Sequence, residues 1–141
     1  MKNKNIEEYF EELIEDLKDT EYEEKIETLI EYGNKLELFP EEEKKDENIV
    51  KGCISNVFLL AYQDKEGLVY FKAHSDALVI KGYLGLLVEG LSGHSKEEIL
   101  NSTPIIEHFA KETDVKASLS LNRVNAFGNI YSLMLEKVKK L

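Results

Sequence analysis

The sequence predicts an α+β fold, a small antiparallel β-sheet packed against helices, on three observations. Ile6, Tyr9, Phe10, Leu13, Ile14 and Leu17 recur at helical spacing, with glutamates on the opposite face. Two β-type runs, Val57-Phe58-Leu59-Leu60-Ala61-Tyr62 and Leu68-Val69-Tyr70-Phe71-Lys72-Ala73, flank the turn segment Gln63-Asp64-Lys65-Glu66-Gly67. Helical periodicity then returns for the rest of the chain with no internal repeat, so the 141 residues read as a single domain, residues 1–141.

The first helix is predicted over residues 5–18. A second starts after Asp19-Thr20, with either residue as its cap, carries Ile26, Leu29 and Ile30 inward, and is weakened by Gly33. Residues 41–48 are too charged to pack and read as a solvated loop. In the hairpin, facing Gln63 with Leu68 across a four-residue loop sets Phe58, Leu60 and Tyr62 opposite Ala73, Phe71 and Val69 as one apolar face. That register returns His74, Ser75 and Asp76 beside Cys53 and Ser55.

Ser75 or Asp76 is then expected to cap a long helix through Ala77, Val79, Ile80, Tyr83, Leu84, Leu87, Val88 and Leu91. Glycine disfavours a helix interior by up to about 1 kcal/mol, so Gly82 and Gly85 imply close packing against the sheet, and Gly90 reads as part of the helix end. Ser95-Lys96-Glu97-Glu98 fits a capping box, and Pro104 opens a further helix with Ile105, Ile106 and Phe109. Ser118 or Ser120 caps the last helix, whose stripe is Val124, Phe127, Tyr131, Met134 and Val138, with Lys137, Lys139 and Lys140 suiting its C-terminal dipole.

Composition excludes several functions. A net charge of −10 with no basic cluster argues against nucleic-acid binding. No apolar run approaches the ~20 residues that span a bilayer, and Met1-Lys2-Asn3-Lys4-Asn5 leads into an acidic segment rather than a signal-peptide core, so a cytoplasmic protein with a reduced thiol is expected. Cys53 is the single cysteine; with three histidines it cannot readily close a four-ligand structural metal site, so no metal site is expected.

A lone thiol is either a small buried hydrophobe or a nucleophile or carrier. For the second role a cation or base must favour the thiolate, which is only a few per cent populated near neutral pH. His74 is nearest on the hairpin, with Arg123 and Lys51 as alternatives. Cys53, His74 and Asp76 can also be written as a cysteine hydrolase relay, although capping is the default role of Asp76. His94, after Gly93 in a turn, and His108, beside Phe109, read as surface or packing residues.

Gly52-Cys53-Ile54-Ser55-Asn56-Val57-Phe58, followed by Ser75-Asp76-Ala77-Leu78-Val79-Ile80-Lys81-Gly82, resembles the SufE family of cysteine desulfuration proteins. Glu31-Tyr32-Gly33-Asn34-Lys35-Leu36 and Arg123-Val124-Asn125-Ala126-Phe127 extend the resemblance. It implies a SufE/NifU-like α+β sandwich in which Cys53 accepts persulfide sulfur from a cysteine desulfurase, stimulates that enzyme, and delivers the sulfur to an iron–sulfur scaffold complex. On this reading the chain is a sulfur-transfer partner rather than an enzyme, and Asp76 and Arg123 match polar positions of the family's site region. It holds no cofactor, because the pyridoxal phosphate belongs to the desulfurase; a homodimer is compatible with this role. Ile54, Phe58, Lys51 and Ala126 stand where the family usually has Gln, Trp, Pro and Gly, the aromatic exchange keeping a core role. A cluster scaffold is suggested only by the shared fold, since one cysteine falls short of the three or four thiolates a cluster needs.

Overall fold

The computed structural model describes residues 4–51, 56–113 and 126–141, and two of its helices, at Asn5 and at Ser95, begin on a capping box that satisfies their first N–H groups. Helix α1 (Ile6–Leu17) starts at Asn5, whose Oδ1 accepts from Glu8 N at 2.7 Å while Asn5 N donates to Glu8 Oε1 at 3.1 Å. It buries Ile6, Phe10, Leu13, Ile14 and Leu17, the expected stripe apart from the half-buried Tyr9. Helix α2 (Tyr22–Asn34) departs from expectation at its start: Glu21 is the cap residue and no side chain caps it. Thr20 instead donates from Oγ1 to the Leu17 carbonyl at 2.8 Å, closing the end of α1.

The sheet consists of β1 (Val57–Gln63), β2 (Leu68–Ser75) and the short β3 (His94–Ser95), antiparallel in the order β1-β2-β3. Its register differs by one residue from the expected one, with Gln63 facing Val69, Leu60 facing Lys72 and Phe58 facing His74. The turn explains the difference. Asp64 Oδ1 accepts from the N–H groups of Glu66 and Leu68, each at 2.9 Å, and Asp64 N donates to the Leu68 carbonyl at 2.9 Å, so Leu68 closes the turn against Asp64 rather than facing Gln63. Gly67, at φ 84°, supplies the left-handed residue this closure requires.

Because side chains alternate across a strand, the slip exchanges the faces of β1, while Val69, Phe71 and Ala73 of β2 point inward as expected. Val57 and Leu59 point inward with Val69, Phe71, Ala73 and Ser75, whereas Phe58, Leu60, Tyr70, Lys72 and His74 are only partly buried on the outer face. Lys72 is accommodated there through its long stem, with its ammonium 5.9 Å from the Tyr62 ring centroid and 3.9 Å from a Glu37 carboxylate oxygen.

Helix α3 (Leu78–Leu91) is buried over most of its circumference, between β2 and α2. Its glycines answer to helices rather than to the sheet. A Cβ on Gly82 would lie 2.7 Å from the Leu29 carbonyl carbon, and one on Gly85 would lie 2.5 Å from that of Tyr32. Gly33 of α2 faces Gly82 in return, so the two backbones meet almost in direct contact. Gly90 is also a contact residue, because a Cβ there would come within 2.7 Å of the Tyr9 and Phe10 rings of α1. The chain reverses at Gly93, φ 83°, whose N–H donates to Val69 O at 2.7 Å and leads into β3, a strand with no sequence signal.

Helix α4 (Lys96–Leu100) has the expected capping box: Ser95 Oγ accepts from Glu98 N at 3.1 Å, and Ser95 N donates to Glu98 Oε1 at 2.9 Å. That backbone donor holds the Glu98 carboxyl below the usual carboxylate range. Helices α5 (Thr103–Glu112) and α6 (Ala126–Lys139) complete the architecture. The rings of Phe10, Phe109, Phe127 and Tyr83 form a continuous row with centroids 5.5, 6.0 and 5.6 Å apart, joining α1, α5, α6 and α3. Phe127, Tyr131, Met134 and Val138 are buried as expected, while Val124, Ser118 and Ser120 lie outside the described residues.

Gly82→Ala or Gly85→Ala is expected to lower stability in urea unfolding by about 3 kcal/mol, because helix backbone must move. Gly128→Ala, with nothing within 4 Å of a new Cβ in α6, is expected to be neutral or stabilising by up to about 1 kcal/mol.

Candidate functional site

The candidate site lies at the end of the sheet where β1 begins and β2 ends. Ile49 bridges antiparallel to Phe58, and Val50 N donates to Val57 O at 2.8 Å. The chain therefore runs back alongside the start of β1 before Lys51, and resumes at Asn56 on the same end of the sheet. Cys53 falls between these anchors and lies outside the described residues, as does Arg123. The corrected register pairs Ser75 with Val57 and His74 with Phe58, so His74 and Asp76 are displaced by one residue from their expected place beside Cys53 and Ser55.

His74 is partly exposed, and its Nε2 lies 3.3 Å from Asp76 Oδ1. Asp76 does not cap α3: Ala77 occupies the cap position without a side-chain bond, and the Asp76 side chain is 79% exposed. The local turn is held by Ser75, buried, whose Oγ accepts from Ala77 N at 3.1 Å. Asp76 therefore faces solvent and His74. Phe58 does not take the core role expected of it, because the register turns it outward. There Phe39, itself buried, covers it at a centroid distance of 6.1 Å and reaches the His74 ring at 6.5 Å.

The segment leading to Lys51 is anchored more firmly than its charge suggests. Most of residues 41–48 are exposed, as their charge implies, but two short 3-10 turns, Glu41–Glu43 and Asp46–Asn48, place Asn48 at 3% exposure. Its Nδ2 donates to the Glu43 carbonyl at 2.9 Å and to Glu43 Oε1 at 3.1 Å. Its Oδ1 accepts from Lys137 Nζ of α6 at 2.6 Å, and lost hydration lowers the pKa of that ammonium from the usual lysine value. The signal for Asn48 was a lone amide between charged residues and Ile49-Val50; the long-range partner Lys137 could not be read from the chain.

Lys51 is exposed and lines an open groove of about 470 Å³ with Ile49 and, from α6, Asn129, Ser132, Leu133 and Glu136. His94 is elsewhere. It is a buried residue of β3 paired with Val69, with Nδ1 3.6 Å from Glu98 Oε2, at the other end of β2 from His74. His108 is exposed on α5. Among the described residues no group of three or more His, Cys, Asp or Glu could hold a metal ion, and no helix is long and apolar enough to cross a membrane.

Residues 11–138 match the family model of SufE, the Fe-S metabolism associated domain. An uncharacterized SufE-like protein of Synechocystis sp. is 38% identical over 118 residues, which cover 84% of this chain and 72% of that protein. SufE-like protein 1, chloroplastic/mitochondrial, of Arabidopsis thaliana is 40% identical over 117 residues, 83% of this chain and 31% of that protein. The cysteine desulfuration protein SufE of Plasmodium falciparum is 33% identical over 102 residues, 70% of this chain and 40% of that protein. The chain thus spans less than half the length of the plant and parasite relatives. The solution structure of a hypothetical protein from Thermus thermophilus superposes with a TM-score of 0.75 at 24% identity, covering 94% of each chain, and shows the shared fold.

Asn48→Ala should release the base of the Lys51 segment and leave Lys137 without its closest acceptor. The expected loss is about 1–3 kcal/mol in urea unfolding, with faster amide exchange at Ile49 and Val50.

Proposed function

The chain belongs to the SufE family, and on that premise we propose that it is a sulfur acceptor and carrier whose Cys53 takes sulfane sulfur from a cysteine desulfurase. The family match across residues 11–138 carries this reading, supported by relatives named cysteine desulfuration proteins. The Cys53 thiolate attacks the outer sulfur of a persulfide on the desulfurase's cysteine. A bond forms from Cys53 Sγ to that sulfur, the partner's own S–S bond breaks, and its cysteine leaves as a thiolate. No external oxidant or reductant is consumed. Removing sulfur from the desulfurase clears its nucleophile and stimulates its turnover; delivery to an iron–sulfur scaffold complex follows by the same exchange.

A chain with one cysteine suits this work, because it has no second thiol to resolve its own persulfide into a disulfide. Between loads the thiol must stay reduced, and the cytoplasm is the proposed compartment. Lys51, His74 and Arg123 are the side chains proposed to favour the Cys53 thiolate, with Asp76 as a polar group at the docking rim. The chain binds no cofactor in this scheme, and pyridoxal phosphate remains with the desulfurase.

The His74–Asp76 approach of 3.3 Å favours a second reading, a cysteine hydrolase using Cys53 and His74. Against it, Asp76 is largely in water, where it orients an imidazole weakly.

Incubation with the desulfurase, cysteine and pyridoxal phosphate should add the mass of sulfur to the intact chain; a Cys53→Ser variant that still gains it would sink the carrier reading. His74→Ala should accept sulfur at a rate within about tenfold of the wild type, whereas a general base would cost about 100-fold or more.

A further inference from the structure

Leu38 and Leu78 are the two most exposed aliphatic side chains among the described residues, at 93% and 60%. Both are held outward by fixed neighbours. Leu38 lies between Glu37, which approaches Lys72 at 3.9 Å, and Phe39, which is buried against Phe58 and His74. Leu78 is the first residue of α3, whose next turns are packed against α2 and β2.

They also flank the same corner. Phe39, next to Leu38, has its ring 6.5 Å from that of His74. Leu78 is three residues beyond Ser75, a span of at most about 11 Å. An ordinary interface buries about 800 Å² on each partner, a disc roughly 16 Å in radius. Chain connectivity keeps both leucines within about that radius of the His74–Asp76 corner, with Glu37, Lys72 and Asp76 nearby as charged residues of the rim.

Resting on the carrier reading, we propose that Leu38 and Leu78 are the apolar anchors by which this chain docks a cysteine desulfurase. Thiol-to-thiol transfer brings the reacting sulfurs to about 3–3.5 Å before the bond forms. The desulfurase must then seal the sheet end from which the chain leaves at Lys51 and to which it returns at Asn56. Its contact surface is apolar opposite the leucines.

Leu38→Glu and Leu78→Glu, singly and together, test this by titration calorimetry with the desulfurase and by Cys53 loading measured as intact mass. Each substitution is expected to weaken binding roughly tenfold. Loading of Cys53 by sodium polysulfide, which needs no docking, should stay as in the wild type, and so should the circular dichroism spectrum. Binding within about twofold of wild type in the double variant overturns the proposal, since two anchors should together cost far more. So does an effect confined to self-association, which assigns the leucines to a second copy of this chain. Wild-type binding without sulfur gain on Cys53 overturns the carrier reading alone; absence of wild-type binding overturns both.

Discussion

The turn at Asp64 sets the parity of the hairpin, and the site inherits its geometry from that parity. Asp64 closes the turn against Leu68, its carboxylate accepting from the N–H groups of Glu66 and Leu68 and its own N–H donating to the Leu68 carbonyl, so that Gln63 faces Val69. With a period of two, this decides that Val57, Leu59, Phe71 and Ala73 go inward. It equally decides that Phe58 and His74 go outward as a facing pair, where Phe39 can cover them and Asp76 can approach the imidazole. A shift of one residue would set Val57 opposite His74, on one face with it.

A second constraint makes the helical layer rigid. Gly82 and Gly85 let the backbones of α2 and α3 meet at separations no Cβ would allow, and Gly33 keeps the facing contact close. Close-packed interiors transmit such contacts without slack. The position of α3 then fixes Ser75 and Leu78 at its start, and the path out of α2 fixes Leu38 and Phe39. Two elements far apart in sequence thus deliver exposed leucines to one corner, while Asn48, gripped by Lys137 of α6, holds the strand-like segment that leads to Lys51.

The proposed sulfur transfer is served by a nucleophile with no thiol rival on its own chain and by a firm surface for a partner to seal. One cysteine meets the first need. The second is met by anchoring both flanks of the thiol-bearing segment: the Ile49–Phe58 bridge, the Val50–Val57 hydrogen bond and the buried Ser75 turn. Rigid flanks lower the entropy lost on docking.

Periodicity and side-chain chemistry within a few residues were enough to read the α+β class, the α1 stripe, the capping box of α4 and the paired motifs that mark the family. The hairpin register, the existence of β3, the burial of Asn48 and the role of the α3 glycines emerged only from the folded chain. Alternation marks a strand without saying which face is inward when both are apolar, as Phe58, Leu60 and Tyr62 against Val57, Leu59 and Ala61 show. Lys137 and Asn48 lie 89 positions apart and meet only when α6 is packed. Contacts of that separation are chosen by the core as a whole, so no window of sequence contains them.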